Sequence, residues 1–150
     1  MLYYNSLQEV YQEVPGEISL AIGVSGCPLN CKGCHSAFTH NKKLGEKLTE
    51  EVLERVFQRH KYLTTVLFYG GEWQILELIV LIDFIKRKGL KVALYTGYDF
   101  TFFNQAFLKK IDFIKTGAWK EDLGGLNSKT TNQRFYSLNE GNISKEIFFY

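Results

Sequence analysis

The residues best equipped for chemistry are three cysteines, Cys27, Cys31 and Cys34, the only ones in the chain. They lie in Cys27-Pro28-Leu29-Asn30-Cys31-Lys32-Gly33-Cys34-His35. An odd, tightly clustered set is a poor disulfide framework and suits a loop wrapped around one metal centre. Three thiolates on a short glycine-containing loop can each take one iron of a cubane cluster. The fourth iron is then left without a protein ligand, unlike a carrier whose four cysteines close the cluster. An open metal position is where a substrate or cofactor can coordinate. Two alternatives stand beside this reading. One is structural zinc, with His35 or His40 completing a Cys3His set, and the other is a buried, inert cysteine cluster.

Such a loop must be carried by a scaffold, and the pattern around it alternates strand and helix. Residues 17–25 (EISLAIGVS) read as a first strand, opened by the Pro15-Gly16 turn and followed directly by the cysteines. Thr49 is a candidate N-cap, with Glu50 and Glu51 in the first turn and Val52, Leu53, Val56 and Phe57 on one face. Residues 64–69 (TTVLFY) read as a second strand ending at Gly70-Gly71-Glu72. A largely apolar helix over residues 73–88 closes on Lys86, Arg87 and Lys88, with Gly89 as a natural stop. Residues 90–95 (LKVALY) predict a third strand before Thr96-Gly97, residues 103–110 a short helix, and residues 111–115 a fourth strand. Beyond Gly117 the chain turns polar, with residues 127–136 reading as a surface loop, before an apolar end at residues 147–150.

Strands alternating with helices imply parallel pairing. A closed eight-fold barrel takes roughly 200 residues or more, so 150 residues predict an α/β single domain, residues 1–150, built as an open partial β/α barrel of mostly parallel strands. Active faces of such folds lie at the carboxyl ends of the strands. The cysteines, Gly70-Gly71-Glu72, Thr96-Gly97 and Lys115 all fall there. By themselves, a double glycine marks a turn, a threonine caps one and a lysine is solvated.

Composition narrows the classes. Apolar residues make up 45% and charged residues 23%, which excludes a disordered chain. A net charge of +2 gives no broad basic surface for nucleic acid. No apolar run reaches the ~20 residues of a membrane span, and no leader pattern is visible, so a cytoplasmic location is expected.

The pattern C-x3-C-x2-C after the first strand, with Gly70-Gly71-Glu72 after the next, resembles the signature of the radical S-adenosylmethionine superfamily. Further segments narrow the likeness: Gly33-Cys34-His35, Tyr69 to Trp73, Tyr95-Thr96-Gly97-Tyr98 and residues 130–136 (TTNQRFY). Together they resemble the activating proteins of anaerobic (class III) ribonucleoside-triphosphate reductases. That resemblance implies one 4Fe-4S cluster on Cys27, Cys31 and Cys34, with S-adenosylmethionine as cofactor. It implies cofactor contacts from Gly33, Cys34, His35, Gly70, Gly71 and Glu72, with Thr96 and Lys115 toward the ribose or carboxylate. It also implies a large partner, the glycyl radical subunit of the reductase, and a one-electron donor such as flavodoxin. Activation of another glycyl radical enzyme, such as pyruvate formate-lyase, is the nearest alternative. Two positions depart from wider superfamily patterns: Gly33 stands where an aromatic residue is common, leaving His35 as a candidate ring near the adenine, and Trp73 stands where proline is common.

Overall fold

The computed structural model describes residues 1–26 and 45–150. Cys27, Cys31, Cys34, Gly33 and His35 therefore lie outside the described residues, as does His40. The described strands form one eight-stranded sheet: β1 (Tyr3–Val10), β2 (Ser19–Val24), β3 (Glu46–Lys47), β4 (Thr65–Tyr69), β5 (Lys91–Tyr95), β6 (Phe113–Thr116), β7 (Arg134–Asn139) and β8 (Asn142–Ile147). The spatial order is β3-β1-β2-β4-β5-β6-β7-β8.

This sheet corrects the expected mostly parallel partial β/α barrel. Only β2-β4, β4-β5 and β5-β6 pair in parallel. The pairs β1-β2, β1-β3, β6-β7 and β7-β8 are antiparallel. The parallel strands were visible because strands buried on both faces read as continuous apolar runs. The antiparallel flanks carry polar residues and lack that signal. Residues 134–136, read as loop, instead open β7, whose Phe135 is fully buried.

Helices are few. In α1 (Glu50–Arg59) the Thr49 hydroxyl accepts from the Val52 amide at 3.2 Å, satisfying an otherwise orphaned donor. The expected apolar helix divides into a 3-10 turn (Glu72–Gln74) and α2 (Ile75–Arg87). The expected helix at 103–110 shrinks to α3 (Gln105–Leu108).

Alternation along the strands assigns the two faces. Leu20, Ile22, Val66, Phe68, Val92, Leu94 and Ile114 pack with Leu53, Leu78, Ile82, Ile85 and Phe107 from the helices. Ala21, Leu67, Ala93 and Phe135 pack instead with Val10, Val14, Leu126 and Phe149. The second face carries no helix among the described residues, so it is covered by connecting chain and the C-terminal end. No helix among the described residues is long and apolar enough to cross a membrane.

Candidate functional site

The carboxyl ends of β4, β5 and β6 bring Gly70, Gly71, Glu72, Thr96 and Lys115 together. Gly70 and Gly71 both have positive φ, 90° and 105°, a conformation open to glycine and costly for other residues. They turn the chain sharply from β4 into the 3-10 turn, and so direct Glu72 back into the protein. Glu72 is 3% exposed. Its Oε1 accepts a 2.7 Å hydrogen bond from the Thr96 hydroxyl, which itself accepts from the Tyr98 amide at 3.1 Å. Oε2 of Glu72 is buried and has no hydrogen-bond partner. Burial pushes the Glu72 carboxyl above its ordinary value, against the opposing effects of the Thr96 hydrogen bond, its own backbone and the Lys115 charge.

Lys115 is not the solvated lysine that its residue type suggests. It is buried, and its Nζ donates to the carbonyls of Thr96 and Gly117 at 3.1 and 3.0 Å. The ammonium also lies 5.8 Å from the centre of the Tyr95 ring, within cation–π range. Backbone bonds extend the same edge: Gly70 N–H donates to Tyr95 O, Thr96 N–H to Lys115 O and Gly117 N–H to Tyr98 O. Three strand ends are thus tied into one rim, with a buried carboxylate and a buried ammonium inside it.

Sequence reasoning missed a row of side chains on the helix-free face. Tyr69, Tyr95, Lys115 and Phe135 are register neighbours across β4, β5, β6 and β7, and Gly23 of β2 completes the row. The Tyr69 and Tyr95 rings meet edge to face at 5.3 Å, and the Tyr95 hydroxyl donates to Glu13 O at 2.5 Å. Burial raises both phenols well above their ordinary value, so both stay neutral at physiological pH. The available signal was the matched position of Tyr69 and Tyr95, each last in an apolar strand.

The polar segment before β7 is also more ordered than a surface loop requires. Thr131 and Gln133 are buried. The Thr131 hydroxyl donates to Gly124 O at 3.0 Å, the Asn132 amide to Ala118 O at 3.0 Å and the Gln133 amide to Gly117 O at 3.3 Å. These bonds fold residues 117–133 back on themselves beside Lys115.

Among the described residues, no group of three His, Cys, Asp or Glu side chains could hold a metal ion. A model of the 4Fe-4S single cluster domain family matches residues 15–138, most of the chain. The chain belongs to that family. No curated protein and no solved structure matches it.

Membership in the 4Fe-4S single cluster domain family favours iron and sulfide over structural zinc. The donor set fits: the cluster needs thiolates, and the chain's only three cysteines stand together inside the matched span. The matched span also includes Gly70, Gly71, Glu72, Thr96 and Lys115, so the rim belongs to the same unit as the cysteines.

Proposed function

We propose that this 4Fe-4S protein is a radical S-adenosylmethionine enzyme that installs a glycyl radical on an anaerobic ribonucleoside-triphosphate reductase. The observation that carries this reading is the unpartnered, buried Oε2 of Glu72, two strand ends from Lys115. A buried carboxylate oxygen without a donor is costly, and a ligand ammonium would satisfy it. The amino acid part of S-adenosylmethionine offers both an ammonium for Glu72 and a carboxylate for a cation such as Lys115.

A reduced 4Fe-4S cluster held there would supply one electron to the sulfonium of S-adenosylmethionine, whose bond to carbon 5′ would break to give methionine and a 5′-deoxyadenosyl radical able to take hydrogen from a glycine Cα. Cys27, Cys31 and Cys34 would hold three irons and leave one open for the cofactor. Gly70 and Gly71 let backbone approach the ligand without a side chain in the way. Thr96 holds Glu72 in place through Oε1, so only Oε2 is offered. Gly33 and His35 would complete the adenine side. A donor such as flavodoxin would reduce the cluster, and the glycyl radical subunit of the reductase would be the acceptor.

The test is anaerobic reconstitution with iron and sulfide, then reductant and S-adenosylmethionine, with 5′-deoxyadenosine as the product measured. The reductase is then added and its radical read by electron paramagnetic resonance, with pyruvate formate-lyase as the comparison partner. The expected result is cofactor cleavage and a radical on the reductase alone, both lost when any one cysteine becomes alanine. A cluster-loaded protein that cleaves no S-adenosylmethionine would overturn the enzyme reading. A radical on the formate-lyase alone would overturn the choice of partner.

A further inference from the structure

The polar stretch that the sequence singled out, residues 130–136 (TTNQRFY), enters β7 beside the rim. Because β7 runs antiparallel to β6, with Arg134 opposite Thr116, the residues just before it stand at the carboxyl end of β6. That is the end which carries Lys115. Lys129 and Thr130 are exposed there, whereas Thr131 and Gln133 are buried and Asn132 is half-buried.

Gly117 joins Asn132 to the rim. Its carbonyl accepts from Lys115 Nζ at 3.0 Å and from the Gln133 amide at 3.3 Å. A Cβ added at Gly117 would lie 3.0 Å from Asn132 O and 3.3 Å from Asn132 Nδ2, so glycine lets the Asn132 side chain pack against the turn that holds Lys115. There Asn132 Nδ2 donates to Ala118 O at 3.0 Å. A carbonyl can only accept, so this bond sets the orientation of the amide, nitrogen toward Ala118 and oxygen away. That oxygen, Oδ1, is buried and, like Oε2 of Glu72, has no hydrogen-bond partner among the described residues. Buried side-chain acceptors are nearly always paired, so Oδ1 calls for a donor. Ala118 leads directly into a cavity of about 460 Å³ lined by Trp119, Lys120, Glu121 and Asp122, a volume that suits a small ligand.

We propose that Asn132 is a specificity-determining residue for the adenine of S-adenosylmethionine, its Oδ1 accepting a hydrogen bond from the amino group on C6. This rests on the reading that places the cofactor's ammonium at Glu72 and its carboxylate at Lys115. With those groups engaged, the N–H donor left at the far end of the cofactor is the adenine amino group. A 6-oxo base carries an acceptor at that position and would meet Oδ1 oxygen to oxygen. A site built to bond an N–H rejects the analogue that lacks it, because its own buried polar group is then left unpaired.

The experiment uses the full chain, reconstituted anaerobically, and compares by calorimetry its binding of S-adenosylhomocysteine and S-inosylhomocysteine, which differ at C6 of the base. The unaltered protein should prefer the adenine compound by roughly tenfold or more. Asn132→Ala should bring the two affinities close to equal. Asn132→Asp, which keeps an acceptor oxygen, should keep the preference. A ratio of two affinities measured on one folded protein does not move when a variant is merely less stable, and the unfolding midpoint of each variant is recorded beside it. Equal binding of both compounds by the unaltered protein would overturn the proposal whatever the variants do. So would a preference that survives in Asn132→Ala, or one lost equally in Asn132→Asp, which would assign it to packing. In each of these cases binding of S-adenosylhomocysteine by the unaltered protein leaves the S-adenosylmethionine reading standing. An unaltered protein that binds neither compound would overturn that reading, and the role of Asn132 with it.

Discussion

Thr96 donates a 2.7 Å hydrogen bond to Oε1 of Glu72 across 24 residues of sequence, and this contact fixes the only buried carboxylate among the described residues. It joins the end of β5 to the turn that follows β4. It also leaves the second oxygen, Oε2, without a partner.

Stability should therefore depend on pH through Glu72. Its folded carboxyl titrates above the ordinary value because it is buried. Between the ordinary and the raised value, the native state keeps a proton that the unfolded chain has lost. Stability then falls as pH rises through that window. Glu72→Gln removes the titration, so its urea midpoint should lack this fall and exceed that of the unaltered protein at the alkaline end. The same variant should bind S-adenosylmethionine weakly. An unchanged pH profile in Glu72→Gln would mean that another group governs the window.

Gly70 and Gly71 should differ in their tolerance of alanine. Both sit at positive φ, costing a non-glycine residue about 1–2 kcal/mol. At Gly71 the nearest side-chain atoms to an added Cβ are 3.5 Å away, an ordinary contact. At Gly70 that Cβ would overlap the Trp73 ring. Gly70→Ala should therefore be the more destabilising, and adding Trp73→Ala should recover part of the loss. Equal unfolding midpoints for Gly70→Ala and Gly71→Ala would show that the indole moves aside freely.

Those glycines and the strands before them were legible in the sequence, and the reason is burial. Residues 64–69 and 90–95 mark β4 and β5 within one residue because both faces of these strands are covered, leaving unbroken apolar runs. The Thr49 cap was legible because a local bond decides it. In contrast, β1 reads YYNSLQEV, a mixture with four uncharged polar or acidic residues that shows no apolar face. Its place between β2 and β3 depends on contacts remote in sequence. The same holds for β8, most of which is exposed, and for Phe135, whose neighbours Tyr95 and Phe149 come from distant segments. Lys115 was legible as a strand-end residue, but its burial follows from two carbonyls that only the folded rim brings within reach.

Lys115→Met tests that rim. Methionine keeps much of the bulk but donates no hydrogen bond to the Thr96 and Gly117 carbonyls. Each buried acceptor deprived of a donor costs about 1–3 kcal/mol, partly offset at Gly117 O by the Gln133 amide. The variant should unfold at clearly lower urea, and Lys115→Arg should not fully restore it, because a planar guanidinium has a different donor geometry. Wild-type stability in Lys115→Met would show that the rim does not depend on the ammonium.

The last prediction concerns the segment before β7, which we propose forms part of the surface that meets the reductase. Arg134 is an obvious charge to reverse there, but its guanidinium is already engaged. Nη1 donates to Thr131 O at 3.2 Å, and Nε lies 3.5 Å from Glu146 Oε1 on β8. Arg134→Glu would place a carboxylate beside Glu146, and exposed ion pairs of this kind contribute about 0–1 kcal/mol. A small loss of stability should thus accompany any loss of docking, which makes Arg134 an ambiguous probe. Lys129 is exposed and lies five residues before β7 opens at Arg134, on the same segment. Lys129→Glu should leave the unfolding midpoint unchanged and weaken reductase activation several-fold, more at low than at high ionic strength. Slow cleavage of S-adenosylmethionine without the partner should be preserved. Unimpaired activation by Lys129→Glu at low salt would remove this segment's charge from the interface, and equal loss of both activities would place the segment against the cofactor instead.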